Sequence, residues 1–423
     1  MAMPVSSHEY QSTFLKLLSE RGQLHDCTDK AALDSRLKKE VVTGYIGFDC
    51  TAPSLHIGSL SQILILRRLQ QSGHRPIVVM GGGTTKVGDP SGKDEARAFL
   101  SDEQVTANKQ SILKTFERFL TFGDGPNDAI MVDNAEWLDR LEYIPFLREV
   151  GRRFSVNRML TMDSVKLRLE RDQPLSFLEF NYMILQAYDF VELFKRYDCT
   201  LQCGGSDQWG NIVTGIDLGR RLIETELFGL TSPLITTSSG TKMGKSAKGA
   251  VWLNADMLSP YHYWQFWRNT EDGDVGRFLR LFTELPEDEI ARLEALEGGE
   301  LNDAKKTLAT QTTRMLHGKT ATKEAEETAR KTFEEGTLAK GLPTFEVERT
   351  RIAENIPVAA LCALVGLTNS RSEARRFIQG GGLRLNDVVV SDTKAIVSLA
   401  DVTEAGVIKL SVGRKKHILV KPV

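Results

Sequence analysis

The sequence predicts an α/β protein: a parallel-sheet domain first, then a helical region, then a small α+β module. Three observations carry this. Strand-like and helix-like segments alternate from residue 41 to residue 202. Glycine-rich turns close the strand-like segments. From residue 356 onward both the pattern and the charge change. Alternation of this kind is the signature of βαβ units, whose strands run parallel.

Taken in order, residues 10–18 and 31–39 are periodic, the second behind Asp29 as a helix cap. Residues 41–48 read as a strand. Residues 60–71 read as a helix, with Ile63, Leu64, Leu66 and Leu69 apolar, and 76–80 as a buried strand. A helix over 103–122 and a strand over 129–132 follow, the strand running into Asp133-Asn134-Ala135-Glu136-Trp137. Residues 176–197 predict one long helix, apolar nearly all round and therefore buried, and 200–202 a strand ending at Gly204-Gly205. Residues 259–330 are helical in period. Gly336, Gly341 and Pro343 mark a linker over 336–355. The tail predicts two short helices, a glycine corner and a strand-turn-strand. The expected domains are therefore 1–240, 241–335 and 356–423.

Composition narrows the class. The chain has 423 residues, 41% hydrophobic and 26% charged, with a net charge of −2. That is ordinary for a globular protein of more than one domain. No apolar run approaches membrane-spanning length and no secretory signal opens the chain, so a cytoplasmic location is expected. Five scattered cysteines, Cys27, Cys50, Cys199, Cys203 and Cys362, predict reduced thiols and no structural zinc. Charge is uneven: residues 369–423 hold ten basic and five acidic side chains. Arg371, Arg375 and Arg376 cluster on one helix there, the form an RNA contact would take.

Two segments carry chemistry. "SSGTKMGKSAKG", 238–249, ends like a phosphate-binding P-loop, but the first glycine of that pattern is missing, since position 239 is Ser239. The segment also leads into extended chain rather than a helix. Its two lysines, Lys242 and Lys245, still suit a polyphosphate. "TAPSLHIGSL" places His56 and Gly58 in a helical first turn, where a donor meets anionic oxygens and the backbone lies open to close approach.

These two segments resemble the signatures of class I aminoacyl-tRNA synthetases, His56-Ile57-Gly58-Ser59 the HIGH motif and Lys242-Met243-Gly244-Lys245-Ser246 the KMSKS motif. With "YIGFDCTAPSLHIGSL", "GDPSGK", "SFLEFNYMILQAYDF" and "LQCGGSDQWGNI", the chain resembles the bacterial-type tyrosyl-tRNA synthetase family over nearly its whole length. The resemblance implies a Rossmann-like catalytic domain that binds tyrosine and ATP, a helical anticodon-side domain, and a C-terminal RNA-binding module. The implied substrates are L-tyrosine, ATP and tRNA(Tyr), with Mg2+ arriving on ATP and no metal site of the protein's own. It also implies a homodimer, with "RFSVNRMLTMDSVKLRL" near the interface.

Site residues follow from the same resemblance. Tyr45 and Asp189 would bond the phenolic hydroxyl of tyrosine. Asp89, Tyr182 and Gln186 would hold its ammonium group, with Gln208 near the carboxylate. Rejection of phenylalanine would follow from leaving Tyr45 and Asp189 unpartnered, an effect for which this family is the standard illustration. His56, Lys93, Arg97, Lys242 and Lys245 would stabilise charge on the phosphates. Asp49, Gly58, Ser59, Gly205 and Asp207 would complete the ATP site. Independently of the resemblance, Tyr182, Gln186 and Asp189 stand at i, i+4 and i+7, one polar stripe on an apolar helix.

The chain departs from the pattern at Ser59, where HIGH has its second histidine, at Gly244, where KMSKS has serine, and at Ile46, where some members have cysteine. Loss of one hydrogen-bond donor at Ser59 costs on the order of 1–3 kcal/mol if uncompensated. This leaves two other readings: a non-catalytic RNA-binding relative, and a tryptophanyl-tRNA synthetase. Tyr45 paired with Asp189 argues against the second, since indole offers a single donor.

Overall fold

Five short runs rich in Ile, Val, Leu and Gly build the central sheet. They are β1 (Thr43–Asp49), β2 (Arg75–Gly81), β3 (Ile130–Asp133), β4 (Cys199–Gly205) and β5 (Phe228–Ser232). All pair in parallel, in the order β3-β2-β1-β4-β5. The computed structural model describes residues 10–91, 100–238, 240, 243, 245–246, 249–331, 342–403, 406–413 and 416–423. Every residue of β4 and β5 is buried, as a sheet covered on both faces requires. β5 was not expected from sequence.

The helices α1 (Thr13–Glu20), α2 (Lys30–Lys39), α3 (Ile57–Gln71) and α4 (Asp102–Phe116) follow local signals. Asp29 caps α2 by accepting from Ala32 N at 2.9 Å. Ser101 and Gln104 form a reciprocal capping box on α4. α4 stops six residues before the expected end at 122, because a turn carries Phe119 and Leu120 into the core.

The helix expected over 176–197 is two pieces, Phe177–Phe180 and Tyr182–Tyr197, joined at Asn181. Its opening turn is not buried: Phe177 is 69% exposed. The reason is local. Ser176 and Glu179 cap that turn, and Glu179 faces inward to the buried Arg168, which turns Phe177 and Leu178 outward.

By its contacts the chain forms two compact units, Met1–Leu258 with Trp267–Leu316, and Ser259–Phe266 with His317–Val423. The helical stretch expected as part of a separate 241–335 domain is divided between them. In the first unit, Arg68 of α3 donates to the carbonyls of Arg280 and Leu281 at 3.1 and 3.0 Å, at the end of the Val275–Phe282 helix. Helix ends leave such carbonyls without intrahelical partners.

The second unit holds a five-stranded sheet in the order Val388–Val389, Leu383–Leu385, Ile408–Val412, Lys416–Pro422, Thr344–Val347. The last of these corrects the expected linker over 336–355. Thr344–Val347 pairs in parallel with Lys416–Pro422, and Val347 and Ile352 enter the core with Val358, Leu361 and Val420. The tail otherwise follows expectation, with helices Val358–Leu364 and Arg371–Gln379, and a turn at Asn386 and Asp387 in left-handed backbone. Among the described residues no helix is long and apolar enough to cross a membrane. All five cysteines are free thiols.

Candidate active site

The strand order reverses between β1 and β4, so the crevice beyond their carboxyl ends, Asp49 and Gly205, is where an open parallel sheet receives a ligand. The His56 turn stands at this edge, and the backbone of Met243 from the lysine segment comes near it. His56 is the N-cap of α3, and its Nδ1 accepts from Gly58 N at 3.0 Å. The neutral ring therefore carries its proton on Nε2, as a donor turned away from the helix. A side chain at Gly58 would stand 2.8 Å from the His56 ring, and 3.8 Å from the carbonyl of Met243 in the lysine segment.

The chain beyond that segment returns along the approach to α3. Ile57 N donates to Val251 O at 3.0 Å, and Leu253 N to Leu55 O at 2.9 Å. Lys245–Ser246 pairs with Gly249–Ala250 as a two-stranded ribbon, as expected of a segment that is not a P-loop. Lys93, Arg97 and Lys242 lie outside the described residues, as does the side chain of Lys245.

Beside this edge lies a polar, largely buried constellation. Tyr45 of β1 is 2% exposed and packs edge-on against Phe190, with ring centroids 5.3 Å apart. Among the described residues its hydroxyl has no hydrogen-bond partner. Burial, and then the charge of Asp189, push this phenol well above its ordinary value. Asp189 accepts from Trp137 Nε1 at 2.7 Å and Asn134 Nδ2 at 3.0 Å. Burial still pushes its carboxyl up to about 7 against those two bonds. A buried hydroxyl left without a partner is costly, and a ligand that supplies one recovers that cost.

The next layer joins three loops. Tyr182 OH donates to Asp49 Oδ2 at 3.2 Å, and Thr84 Oγ1 to Asp49 Oδ1 at 2.9 Å. Gln208 Nε2 donates to Asp89 Oδ2 at 2.9 Å, and Gln186 Nε2 to Gln208 Oε1 at 3.4 Å. Asn211 Nδ2 lies 3.0 Å from Gln208 Oε1 and 3.1 Å from Gln186 Oε1. Asp207 follows Gly205 in a 3-10 turn. The side chains expected to meet tyrosine thus occupy one site, built from β1, the turns after β2 and β4, and the Tyr182–Tyr197 helix.

A model of the tRNA synthetases class I (W and Y) matches residues 37–334. The chain belongs to this family. A second model, the tyrosine--tRNA ligase SYY-like C-terminal domain, matches residues 333–420. A tyrosine--tRNA ligase of Beijerinckia indica subsp. indica is 64% identical over 411 residues, 97% of each chain. One from Methylocella silvestris is 62% identical over 413 residues, 98% of each chain. Among solved structures, a C-terminally truncated Aspergillus nidulans mitochondrial tyrosyl-tRNA synthetase matches with TM-score 0.68 at 29% identity, covering 76% of this chain and 95% of that one.

Within this candidate site, four residues went unassigned from sequence: Thr84, Asn134, Trp137 and Asn211. Asn134 is the hub among them. Its Oδ1 accepts from Gly83 N at 2.8 Å, and its Nδ2 reaches both Thr84 Oγ1 and Asp189. Its one sequence signal is a polar and aromatic run directly after a strand. In the second unit, Arg371, Arg375 and Arg376 are all exposed on the Arg371–Gln379 helix, while Ala374 and Ile378 face the core.

Proposed function

We propose that this protein is a tyrosine–tRNA ligase. It activates L-tyrosine with ATP to tyrosyl adenylate and pyrophosphate, then esterifies the 3'-terminal ribose of tRNA(Tyr). The observation that carries the choice of amino acid is the buried, unpartnered Tyr45 hydroxyl near the Asp189 carboxylate. A substrate phenol offers one donor and one acceptor, and so can serve both groups.

The substrate carboxylate attacks the α-phosphorus of ATP. The new P–O bond forms as the bond to pyrophosphate breaks, and the leaving group carries away the electron pair. Positioning and stabilisation of growing phosphate charge supply the catalysis. His56 donates from Nε2, and Lys93, Arg97, Lys242 and Lys245 add positive charge. Asp89, Gln186 and Tyr182 hold the ammonium group, with Gln208 beside the carboxylate. Gly58, Ser59, Gly205, Asp49 and Asp207 receive the nucleotide. Magnesium would be carried by ATP rather than by a site of the protein's own, and would supply charge neutralisation at the phosphates beside these cationic residues. Within 241–335 the lysine segment serves ATP and the helices that follow it serve the anticodon side, and the arginines of the Arg371–Gln379 helix contact RNA.

The working form is a homodimer in the cytoplasm. Tyr143, Ile144, Val156, Leu167, Leu169 and Phe177 are large apolar side chains that stand exposed within 143–177. Apolar exposure gathered in this way is typical of an interface. Sedimentation at micromolar concentration is expected to give a dimer, and Phe177→Glu a shift toward monomer. A wild-type monomer overturns this part.

The deciding assay is tyrosine-dependent ATP–pyrophosphate exchange. Exchange is expected with tyrosine and far slower with phenylalanine or tryptophan. No exchange at saturating ATP would mean that Ser59 marks a non-catalytic relative, and faster exchange with tryptophan would reassign the substrate.

A further inference from the structure

Helix α4 takes no part in the site assigned above, yet its side chains hold three segments that border it. Asn108 Nδ2 donates to Cys50 O at 2.9 Å, at the end of β1 and ahead of His56. Ser111 Oγ accepts from Asn254 Nδ2 at 2.9 Å, and Thr115 Oγ1 bonds Asn254 Oδ1 at 3.1 Å, just beyond the lysine segment. Positions 108, 111 and 115 share a helix face by spacing. Lys109, beside them, forms an ion pair with Asp133 at the end of β3.

Asp133 is itself a junction. Its Oδ1 accepts from Gly82 N at 3.2 Å and from Ala135 N at 3.0 Å. Gly82 lies so close to this carboxylate that any side chain there would collide with it. Asp133 therefore fixes the turn after β2 and the start of the 134–137 segment together. That segment supplies both donors to Asp189, Asn134 and Trp137.

We propose that Lys109 is a positioning residue for the tyrosine subsite. Its ammonium holds Asp133, Asp133 aligns the Asn134–Trp137 segment, and that segment orients Asp189. Half-buried ion pairs of this kind hold a loop more firmly than freely exposed ones. The inference rests on the reading of Asp189 as the partner of the substrate hydroxyl.

The test is steady-state exchange kinetics on the full chain. Lys109→Met is expected to raise KM for tyrosine roughly five- to twentyfold, an effect of the size seen for coupled neighbours. KM for ATP and kcat should stay within about twofold, because the segment that Asp133 aligns directly supplies both donors to Asp189, while the nucleotide residues are reached only through a further turn. Lys109→Arg should restore the wild-type KM. Asp133→Asn should reproduce the shift, and the double variant should be no worse than Lys109→Met. A purely structural role would lower stability without separating the two KM values or yielding to the arginine rescue. Should Lys109→Met fail to fold, Lys109→Gln and Asp133→Asn carry the same measurement. An unchanged KM for tyrosine, a rise in KM for ATP instead, or failure of arginine to restore binding overturns the proposal. A wild-type chain inactive with tyrosine sinks the functional reading and this inference with it. An active wild type beside an unchanged Lys109→Met sinks the inference alone.

Discussion

Asp189→Ala is expected to lower kcat/KM for tyrosine activation by about a hundredfold or more. A hydrogen bond to a charged group contributes about 1.5–3 kcal/mol, and truncation also strands the groups that faced it. Here those groups are Trp137 Nε1 and Asn134 Nδ2, both now bonded to the carboxylate. Discrimination against phenylalanine should fall in parallel, because the variant no longer offers the substrate hydroxyl an acceptor. The wild type should also show a pH signature. With the Asp189 carboxyl pushed up to about 7, it is largely protonated below that pH and ionised above it. The ionised form is the better acceptor for a phenol, so KM for tyrosine should fall as pH rises through this value. In Asp189→Ala that dependence should disappear. Unchanged exchange kinetics in the variant would remove Asp189 from the site.

Much of this site is legible in the sequence because its parts are local. His56 and Gly58 sit at a fixed spacing on one helical turn, and Tyr182, Gln186 and Asp189 share a stripe that a period of 3.6 reveals. Asn134 and Trp137 are not visible in this way. They reach Asp189 across 55 and 52 residues, and no periodicity links the end of one strand to the middle of a distant helix. The fold divides along the same line. β1 to β4 announce themselves as short apolar runs alternating with helical segments. Thr344–Val347 does not, since it is a strand only because Lys416–Pro422 lies beside it. Phe177 shows a third limit. Apolar periodicity says that a face avoids water, but not whether the cover is this chain's own core or a second subunit.

Arg168→Met should be the largest loss of stability among single changes outside the site, about 3–5 kcal/mol in urea unfolding at neutral pH. Arg168 and Glu179 are both nearly inaccessible, and the guanidinium donates to Glu179 Oε1 at 2.7 Å and to the carbonyl of Pro174. The variant leaves a buried carboxylate without its cation. The pH dependence identifies this cause. Burial works to raise the Glu179 carboxyl, but the Ser176 N–H and hydroxyl, together with Arg168, outweigh it and hold the group below its ordinary value. A lowered native pKa contributes stability above the unfolded value, and that contribution is lost as pH falls through the native one. The gap between wild type and variant should therefore narrow in acid, as Glu179 is protonated in the variant first. Pairing Arg168→Met with Glu179→Leu should recover much of the loss, because two apolar side chains of similar volume leave no charge stranded. Glu179 also holds the turn that leads into Tyr182 and its helix, so Arg168→Met should raise KM for tyrosine several-fold through loss of positioning. A variant as stable as the wild type at neutral pH, or a gap that widens in acid, would show that the pair does not secure the entry to that helix.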